Sequence, residues 1–471
     1  MRQSTPHDLS RRELLKLMAS AASLAALPTA LRAEAGEAPI TPRPPEWSNW
    51  SGSQIAYPRQ WLFPNDEAEL VGQLRSAAGS IRVVGASHSF SALCNTDDTL
   101  VSIDRLSGLV AHDKDKLQAT AWAGSRLRDL GEPLWDIGQA FINQGDVNPQ
   151  SVAGACGTST HGTGITLGSF SSMVRGARIV TPQGESIECS PTRNSDIFHA
   201  ACTSLGALGI VTQMTLQNRQ TYKLHEQEFV EDLDVVLGKL AEYVAENRHF
   251  EFWAFFGTHQ ALVKVLNETD REPTPPPVLD LPVDAVLTAA SEIAHRLPML
   301  DGVMQKLLAS LHTSTDRVGR AHEIFPSPRN TRFNEMEYEL PAAKGPECLQ
   351  EILETVRAKE MNTLFPLEYR YVAADDSWLS PFYGRVSASI SIHQYHTVDY
   401  RPLFSLVEPI FRKYEGRPHW GKLHTLTAKE LAPLYPRWHD WQRVRRRLDP
   451  RGRMLNGHLR ALFGVPVGKV I

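Results

Sequence analysis

The first candidate for chemistry is a histidine on a short turn of small residues. Residues 81–84 form a β-branched run that predicts a strand, and this run is followed by Gly85, Ala86, Ser87, His88 and Ser89. Small residues on a turn leave backbone N–H groups free to bind an anion such as phosphate. The spacing matches neither the dinucleotide-binding fingerprint nor the Walker A motif. An ordinary strand-to-turn transition explains the spacing, but it does not explain a histidine between two serines.

A second candidate is the segment of residues 143–164, which is rich in glycine, serine, threonine and alanine. Such residues make a poor core element, but they allow the backbone to approach a flat ligand closely. A flexible surface loop is the alternative interpretation.

The third candidate is the pair Glu368 and Arg370. Residues two apart in a strand face the same side, so the carboxylate and the guanidinium would project into one cavity. The alternative is a salt bridge on an exposed strand.

Short strands and helices alternate through the first half of the chain and would position the first two candidates. We predict strands at residues 81–84, 100–103, 119–123 and 209–216, a hairpin at 178–187, and helices at 126–134 and 196–202. This alternation predicts an α+β fold for residues 45–220.

The pattern of predicted elements changes from about Tyr222 onwards, where longer helices appear. Helices are predicted at 233–247 and 284–311, strands at 250–256, 365–372 and 385–393, and a proline-dense loop at 273–282. The third candidate therefore lies in a second α+β unit.

The N-terminus has the pattern of an export signal. Arg11 and Arg12 precede an apolar run at residues 17–27, and Ala33-Glu34-Ala35 offers a cleavage site. The apolar run is shorter than the ~20 residues that a membrane-spanning helix needs. We therefore predict a twin-arginine-type signal, export of the folded protein with its cofactor by the twin-arginine machinery, a periplasmic or secreted location, and no stable membrane anchor. An amphipathic helix of the folded domain is the alternative.

Composition excludes several classes of protein. The 471 residues are 42% hydrophobic and 22% charged, which is typical of a soluble globular chain and not of a disordered, collagenous or integral membrane protein. The net charge of −4 gives no reason to bind nucleic acid. The arginines at 443–447 alternate with apolar residues at helical spacing, which favours a packed helix. Five cysteines in no zinc-binding pattern predict free thiols and no metal site.

Several ordered motifs resemble those of flavoproteins of the vanillyl-alcohol-oxidase type. Two of these motifs are the turn at residues 84–89 and the stretch at residues 151–164. Three distant stretches are more similar to the sugar-lactone and alditol oxidase family within that group: residues 366–376, 418–424 and 448–456. The likeness runs from about Trp47 to the C-terminus, apart from residues 273–330.

The resemblance implies an α+β protein of two lobes, with an FAD-binding domain of vanillyl-alcohol-oxidase type and an α+β substrate-cap domain. The implied order is signal, leader, FAD-binding domain, cap domain and a C-terminal segment that returns to the FAD-binding domain: residues 1–35, 36–46, 47–220, 221–415 and 416–471.

In relatives with this turn the histidine is joined covalently to the 8α-methyl group of the flavin, and by position this histidine is His88. A neutral imidazole is a nucleophile, so the link is chemically reasonable, and a non-covalent contact is the alternative. The residues that the resemblance implies for FAD binding are Gly85, Ala86, Ser87, His88, Ser89, Phe90, Ser151, Gly154, Gly157, Thr158, His161, Gly162, Gly164, Ile210 and Val211.

The resemblance places Glu368, Arg370 and Lys422 at the catalytic centre. Arg370 and Lys422 would stabilise negative charge on the reduced flavin or on the alkoxide, and Glu368 or a water would receive the proton. Ser151 and His393 would also contact the substrate, although a packing role is the alternative for His393.

The expected reaction is oxidation of a sugar-derived 1,4-lactone, of the D-arabinono- or L-gulono- type, by hydride transfer to flavin N5. An alditol such as xylitol or sorbitol is the alternative substrate. A flavin- or sugar-binding protein without turnover is the alternative that is not an enzyme. The electron acceptor is left open between O2 and a periplasmic cytochrome.

Overall fold

A computed structural model describes residues 46–275, 283–297, 300, 304, 314–327, 329–361 and 363–466. The predicted export signal lies outside the described residues. The strands, in chain order, are β1 (Trp47–Ser48), β2 (Ile55–Ala56), β3 (Gln60–Leu62), β4 (Ile81–Val84), β5 (Thr99–Ser102), β6 (Leu109–Asp113), β7 (Gln118–Trp122), β8 (Gln139–Phe141), β9 (Val174–Val180), β10 (Ser186–Cys189), β11 (Ile210–Gln220), β12 (Lys223–Asp232), β13 (His249–Ala254), β14 (Gln260–Glu268), β15 (Thr315–Arg320), β16 (Phe333–Pro341), β17 (Leu367–Val372), β18 (Ser387–Tyr395) and β19 (Arg417–Pro418).

The helices are named by their residues. They span Glu67–Ser76, Leu127–Asp136, Val152–Gly157, Phe170–Met173, Ser195–Ala201, Leu233–Gly238, Leu240–Glu246, Val283–Arg296, Ala321–Ile324, Gly345–Ala358, Arg401–Lys413, Ala428–Leu434, Trp438–Leu448 and Gly457–Phe463, with a 3-10 turn at Ala342–Lys344. Within the described residues, none of these helices combines the length and the apolar character that crossing a bilayer requires.

Three sheets organise the described residues, besides the short β1–β2 pair. A parallel sheet has the order β3-β5-β4, and an antiparallel sheet has the order β10-β9-β11-β7-β6, with β8 also paired to β11. The third, which we call the cap sheet, has the order β15-β12-β14-β13-β17-β18-β16-β19 and pairs antiparallel throughout. The predicted α+β class is confirmed by this mixture of helices and sheets.

Most of the predicted elements are present within a few residues of their expected bounds. β9 and β10 form the predicted hairpin, and β17 pairs with β18 as expected. The helix predicted at 233–247 is wrong in one respect, because the structure divides it into two helices at Lys239. Gly238 stands just before the break, and glycine has a low helix propensity, which explains why the division falls there.

The C-terminal segment packs against β4 and the turn that follows the strand. Ile81 N–H donates to the Arg453 carbonyl at 2.7 Å, and the side-chain amide of Asn456 donates to the carbonyls of Ala92 and Asn95 at 2.8 Å. The buried guanidinium of Arg82 donates to the carbonyl of Met454. The helix Trp438–Leu448 buries its two tryptophans, as its spacing predicts, and all five cysteines are unpaired.

Candidate active site

A cleft follows the C-terminal end of β4. It holds about 930 Å³ of empty space, part of which is open to solvent. Its walls come from the turn after β4, the helix Val152–Gly157 and the loop at residues 204–211. Ser151 caps that helix, since its hydroxyl accepts from Gly154 N–H at 3.2 Å.

The walls of the cleft fit a flat, anionic ligand such as FAD. In the part of the chain that the structure describes, the backbone N–H groups of residues 86–89 donate to no protein acceptor. Such free donors suit phosphate oxygens. A Cβ added at Gly85 would lie 2.3 Å from Ser151 Oγ, so any side chain there would displace the hydroxyl that caps the helix. Ser87 has a φ of +58°, which turns the backbone at the residue before His88.

His88 is held against an aromatic ring. Its imidazole stacks on Trp50, with ring centres 4.8 Å apart and planes 20° apart. Burial, and then the positive charge of Lys422, lower the pKa of His88 to about 4, although Glu335 opposes the shift. The imidazole is therefore neutral at pH 7, which is the form that acts as a nucleophile.

Lys422 lies between Phe90, at the end of the turn after β4, and the carboxylates of the cap sheet. Its ammonium pairs with Glu335, lies 3.4 Å from Glu337, and stands 5.2 Å from the ring centre of Phe90. Burial opposes a charge here, but Glu335 and Glu337 raise the pKa of Lys422 above its usual value. Burial likewise opposes the charge of Glu335, yet Lys422 lowers the pKa of this carboxyl to about 2. Both members of the pair are therefore charged.

Glu368 and Arg370 face the same side of β17, as their spacing predicts, and they form an ion pair. Arg370 also pairs with Glu251 at 2.6 Å and with Asp146 at 2.5 Å. Ser391 Oγ donates to the Glu368 carboxylate at 3.3 Å. Although burial disfavours its charge, these carboxylates hold the pKa of Arg370 well above its usual value. The guanidinium is thus always charged, and the three carboxylates hold it in place.

The structure brings ten of the predicted FAD residues together around the cleft. Those that line it are Gly85, Ala86, Ser87, His88, Ser89, Ser151, Gly154, Gly157, Thr158 and Val211. Phe90 is buried beside Lys422, and Ile210 is buried in β11. His393 lies on β18, where Nε2 is 3.4 Å from Glu335 and the ring packs edge-on against Phe333.

Besides Phe90 and Ile210, three more of the predicted FAD residues lie outside the lining of this cleft. Gly164 N–H donates to the Tyr371 carbonyl at 2.8 Å, beside β17. A Cβ at Gly162 would lie 2.3 Å from the Gln144 carbonyl oxygen, so glycine is required there by packing of the chain on itself. His161 is buried against two glutamates of the cap sheet.

Both ring nitrogens of His161 face acceptors. Nδ1 lies 2.8 Å from the carbonyl oxygen of Gly162, and Nε2 lies 2.8 Å from Glu337 and 3.6 Å from Glu339. Burial favours the neutral ring, but the two glutamates outweigh it and raise the pKa of His161 to about 10. His161 is therefore an imidazolium, and its charge balances the buried carboxylates of Glu337 and Glu339 on the cap sheet.

We expect His161→Gln to weaken the protein in a pH-dependent manner. The pKa of about 10 in the folded state lies above the roughly 6.5 of an unfolded histidine. The stabilisation is therefore complete below about pH 6.5 and disappears as the pH rises towards 10. The gap between wild-type and variant urea midpoints should shrink from pH 6 to pH 10. An equal gap at every pH would contradict the assignment, and exposed His112→Gln is the control.

Sequence reasoning did not single out the carboxylates that surround these cations. Glu335, Glu337 and Glu339 occupy every second position of β16 and therefore share one face of the strand. This alternation of acidic residues is the sequence pattern that indicates a cluster of carboxylates there. By contrast, Asp146 and Glu251 lie far from residue 370 in the sequence, and no local pattern marks them.

Comparison with known proteins places this geometry in a family. The D-arabinono-1,4-lactone oxidase family model matches residues 214–462, which is more than half of the chain. The chain belongs to the D-arabinono-1,4-lactone oxidase family. An FAD binding domain model matches residues 58–190, which include the turn at His88. The resemblance implied this family, an FAD-binding domain and FAD-dependent oxidation of CH–OH groups. The comparisons confirm all three.

Individual relatives cover nearly the whole chain. L-gulono-1,4-lactone dehydrogenase of Mycobacterium tuberculosis is 36% identical over 428 residues, covering 89% of this chain and 99% of its own. Alditol oxidase of a Streptomyces species is 28% identical over 431 residues, covering 88% and 98%. A solvent-stable cholesterol oxidase superposes with a TM-score of 0.76 at 18% identity, covering 89% of this chain and 97% of its own. That structural match confirms the fold type.

Proposed function

We propose that this family member oxidises an alcohol of a sugar-derived 1,4-lactone. The observation that carries the proposal is the position of Lys422, whose ammonium lies 5.2 Å from the ring centre of Phe90, two residues after His88, and pairs with Glu335 of the cap sheet. The turn that carries His88 therefore lies beside a face of fixed charges, since Phe90 N–H also donates to the Gly421 carbonyl at 2.7 Å, and such a face suits a small molecule rich in hydroxyl groups. The names of the relatives, which include lactone and alditol enzymes, support this substrate class.

FAD, when bound, supplies at N5 an acceptor for the hydride that leaves the carbinol carbon. The protein supplies preorganised charge. Arg370 and Lys422 are held by carboxylates before the substrate arrives, so they stabilise developing negative charge without a cost of reorganisation at that moment. Glu368, Ser151 and His393 offer hydrogen bonds to the hydroxyl groups of the sugar. Glu368 or a water beside it receives the hydroxyl proton.

We further propose that His88 carries FAD covalently. Its imidazole is neutral and is fixed by stacking on Trp50, which are the conditions for nucleophilic attack. The link would replace one C–H bond of the 8α-methyl group by a C–N bond to the imidazole. Its formation would release two protons and two electrons, and O2 or a cytochrome, whichever reoxidises the flavin in turnover, would take up the electrons.

Reduction of the flavin by candidate substrates tests the proposed reaction. We expect anaerobic addition of D-arabinono- or L-gulono-1,4-lactone to bleach the absorbance near 450 nm, because two electrons enter the ring. Bleaching by xylitol or sorbitol without any lactone would instead favour an alditol oxidase. No bleaching by either class would indicate a binding protein without turnover.

The location and the electron acceptor belong to the proposal as well. We propose export through the twin-arginine route on the strength of Arg11 and Arg12 and the apolar run behind them. A double Arg11→Lys, Arg12→Lys variant should retain the protein in the cytoplasm while leaving its flavin content unchanged. Hydrogen peroxide formed under air during turnover would identify O2 as the acceptor, and its absence would favour a cytochrome.

A further inference from the structure

Asp146 is a buried carboxylate with no role in the proposed chemistry, and it contacts three cations. Its oxygens lie 2.5 Å from Arg370, 3.1 Å from Arg329 and 3.4 Å from Lys264. The three cations come from β17, from the loop before β16 and from β14. Although burial opposes its charge, these cations hold the pKa of Asp146 well below the usual range, so it is ionised.

The backbone at Gly145 and Asp146 is held by close contacts with two other parts of the chain. Ser327 N–H donates to the Asp146 carbonyl at 3.0 Å. A Cβ at Gly145 would lie 2.7 Å from the His161 carbonyl oxygen, so the chain approaches itself closely there. Five residues after Asp146, Ser151 lines the cleft that fits FAD. The short segment of residues 146–151 therefore contacts both the cleft and Arg370 on the cap sheet.

We propose that Asp146 is a positioning residue that sets the orientation of Arg370 relative to the cleft. This inference rests on the proposed function, since it assigns Arg370 to the reacting centre. Arg370 is also paired with Glu251 and Glu368, but both of these lie on the cap sheet itself. Asp146 is the partner from the cleft side among the described ion pairs of Arg370. It therefore fixes the position of the Arg370 guanidinium relative to the wall of the cleft that contains Ser151.

The substitution Asp146→Asn keeps the shape of the side chain and removes its charge. Arg370, Arg329 and Lys264 then lose a shared counter-ion, and the guanidinium keeps only its partners on the cap sheet, Glu251 and Glu368. Misplacement by about 1 Å of a group at a reacting centre costs roughly 100-fold in rate. We therefore expect kcat/KM for the lactone to fall by roughly 100-fold, with flavin content unchanged.

A double-mutant cycle separates positioning from general stability. If Asp146 acts through Arg370, then adding Asp146→Asn to Arg370→Lys should lower kcat/KM by less than about threefold further. An equal loss in the wild-type and the Arg370→Lys backgrounds would overturn the inference. Glu132→Gln is the matched control, because Glu132 forms an exposed pair with Arg320 and contacts neither the cleft nor Arg370. This control should keep its activity within about twofold.

Two further measurements keep the inference testable. If Asp146→Asn fails to fold, the charge-balanced double variant Asp146→Asn, Arg329→Gln takes its place in the same cycle. Failure of the proposed function has a different signature, because no lactone or polyol would then bleach the wild-type flavin. In that case unfolding temperatures of the same four proteins give the coupling, and independent effects of the two substitutions would overturn the contact on which the inference rests.

Discussion

Replacing His88 by alanine should leave all of the flavin extractable by acid, whereas the wild-type pellet should stay yellow. The imidazole is the group that we propose forms the bond to the 8α carbon, and no other histidine or cysteine lies on this turn. FAD should still bind without the link, because the free backbone N–H groups at residues 86–89 do not depend on the side chain. The measurement is the visible spectrum of pellet and supernatant after precipitation with trichloroacetic acid.

The controls for this experiment distinguish the link from general damage. His112→Ala, at an exposed position, should retain all of the covalent flavin. A wild-type supernatant that carries the colour, with a colourless pellet, would show that the bond is not formed. His88 would then contact the flavin without a covalent bond.

Replacing Lys422 by methionine should lower kcat by about 10²- to 10³-fold, the usual effect of removing one preorganised stabilising group. Two consequences act together. The developing negative charge loses a cation, and the buried carboxylates of Glu335 and Glu337 lose the ammonium that balances them. Stopped-flow reduction of the flavin under anaerobic conditions measures the affected step directly.

An exposed lysine supplies the comparison. Lys413 pairs with Glu351 on the surface, so Lys413→Met should change kcat by less than about twofold. Lys422→Arg keeps the charge but not its geometry and should give an intermediate rate. A Lys422→Met enzyme that is reduced as fast as the wild type would remove Lys422 from the reacting centre.

Local pattern predicts the elements of the fold well wherever a short period identifies them. β4, β7, β17 and β18 all stand out as β-branched or alternating runs. The rule that residues two apart share one face of a strand correctly places Glu368 beside Arg370. The break at Lys239 escapes such a pattern because a helical window averages over one glycine, and a single weak position decides where such a helix divides.

The counter-ions of the site could not be predicted in this way. Asp146 reaches Arg370 across 224 positions of sequence. Such a contact depends on how the cap sheet packs against the segment before Ser151, and local sequence propensities do not determine that packing. The ion pairs of His161 show the same limit, since the resemblance implied a cofactor contact for this residue and no local pattern pointed to the glutamates of β16.

The contact between Arg82 and the Met454 carbonyl has a consequence for biosynthesis. Arg82 lies in the wall of the cleft, and its partner Met454 follows it by 372 positions in the chain. The wall of the cleft is therefore incomplete until residue 454 has been synthesised, so the site that fits FAD forms only after that point. Polypeptides released early, before residue 454, should accumulate as colourless, protease-sensitive products.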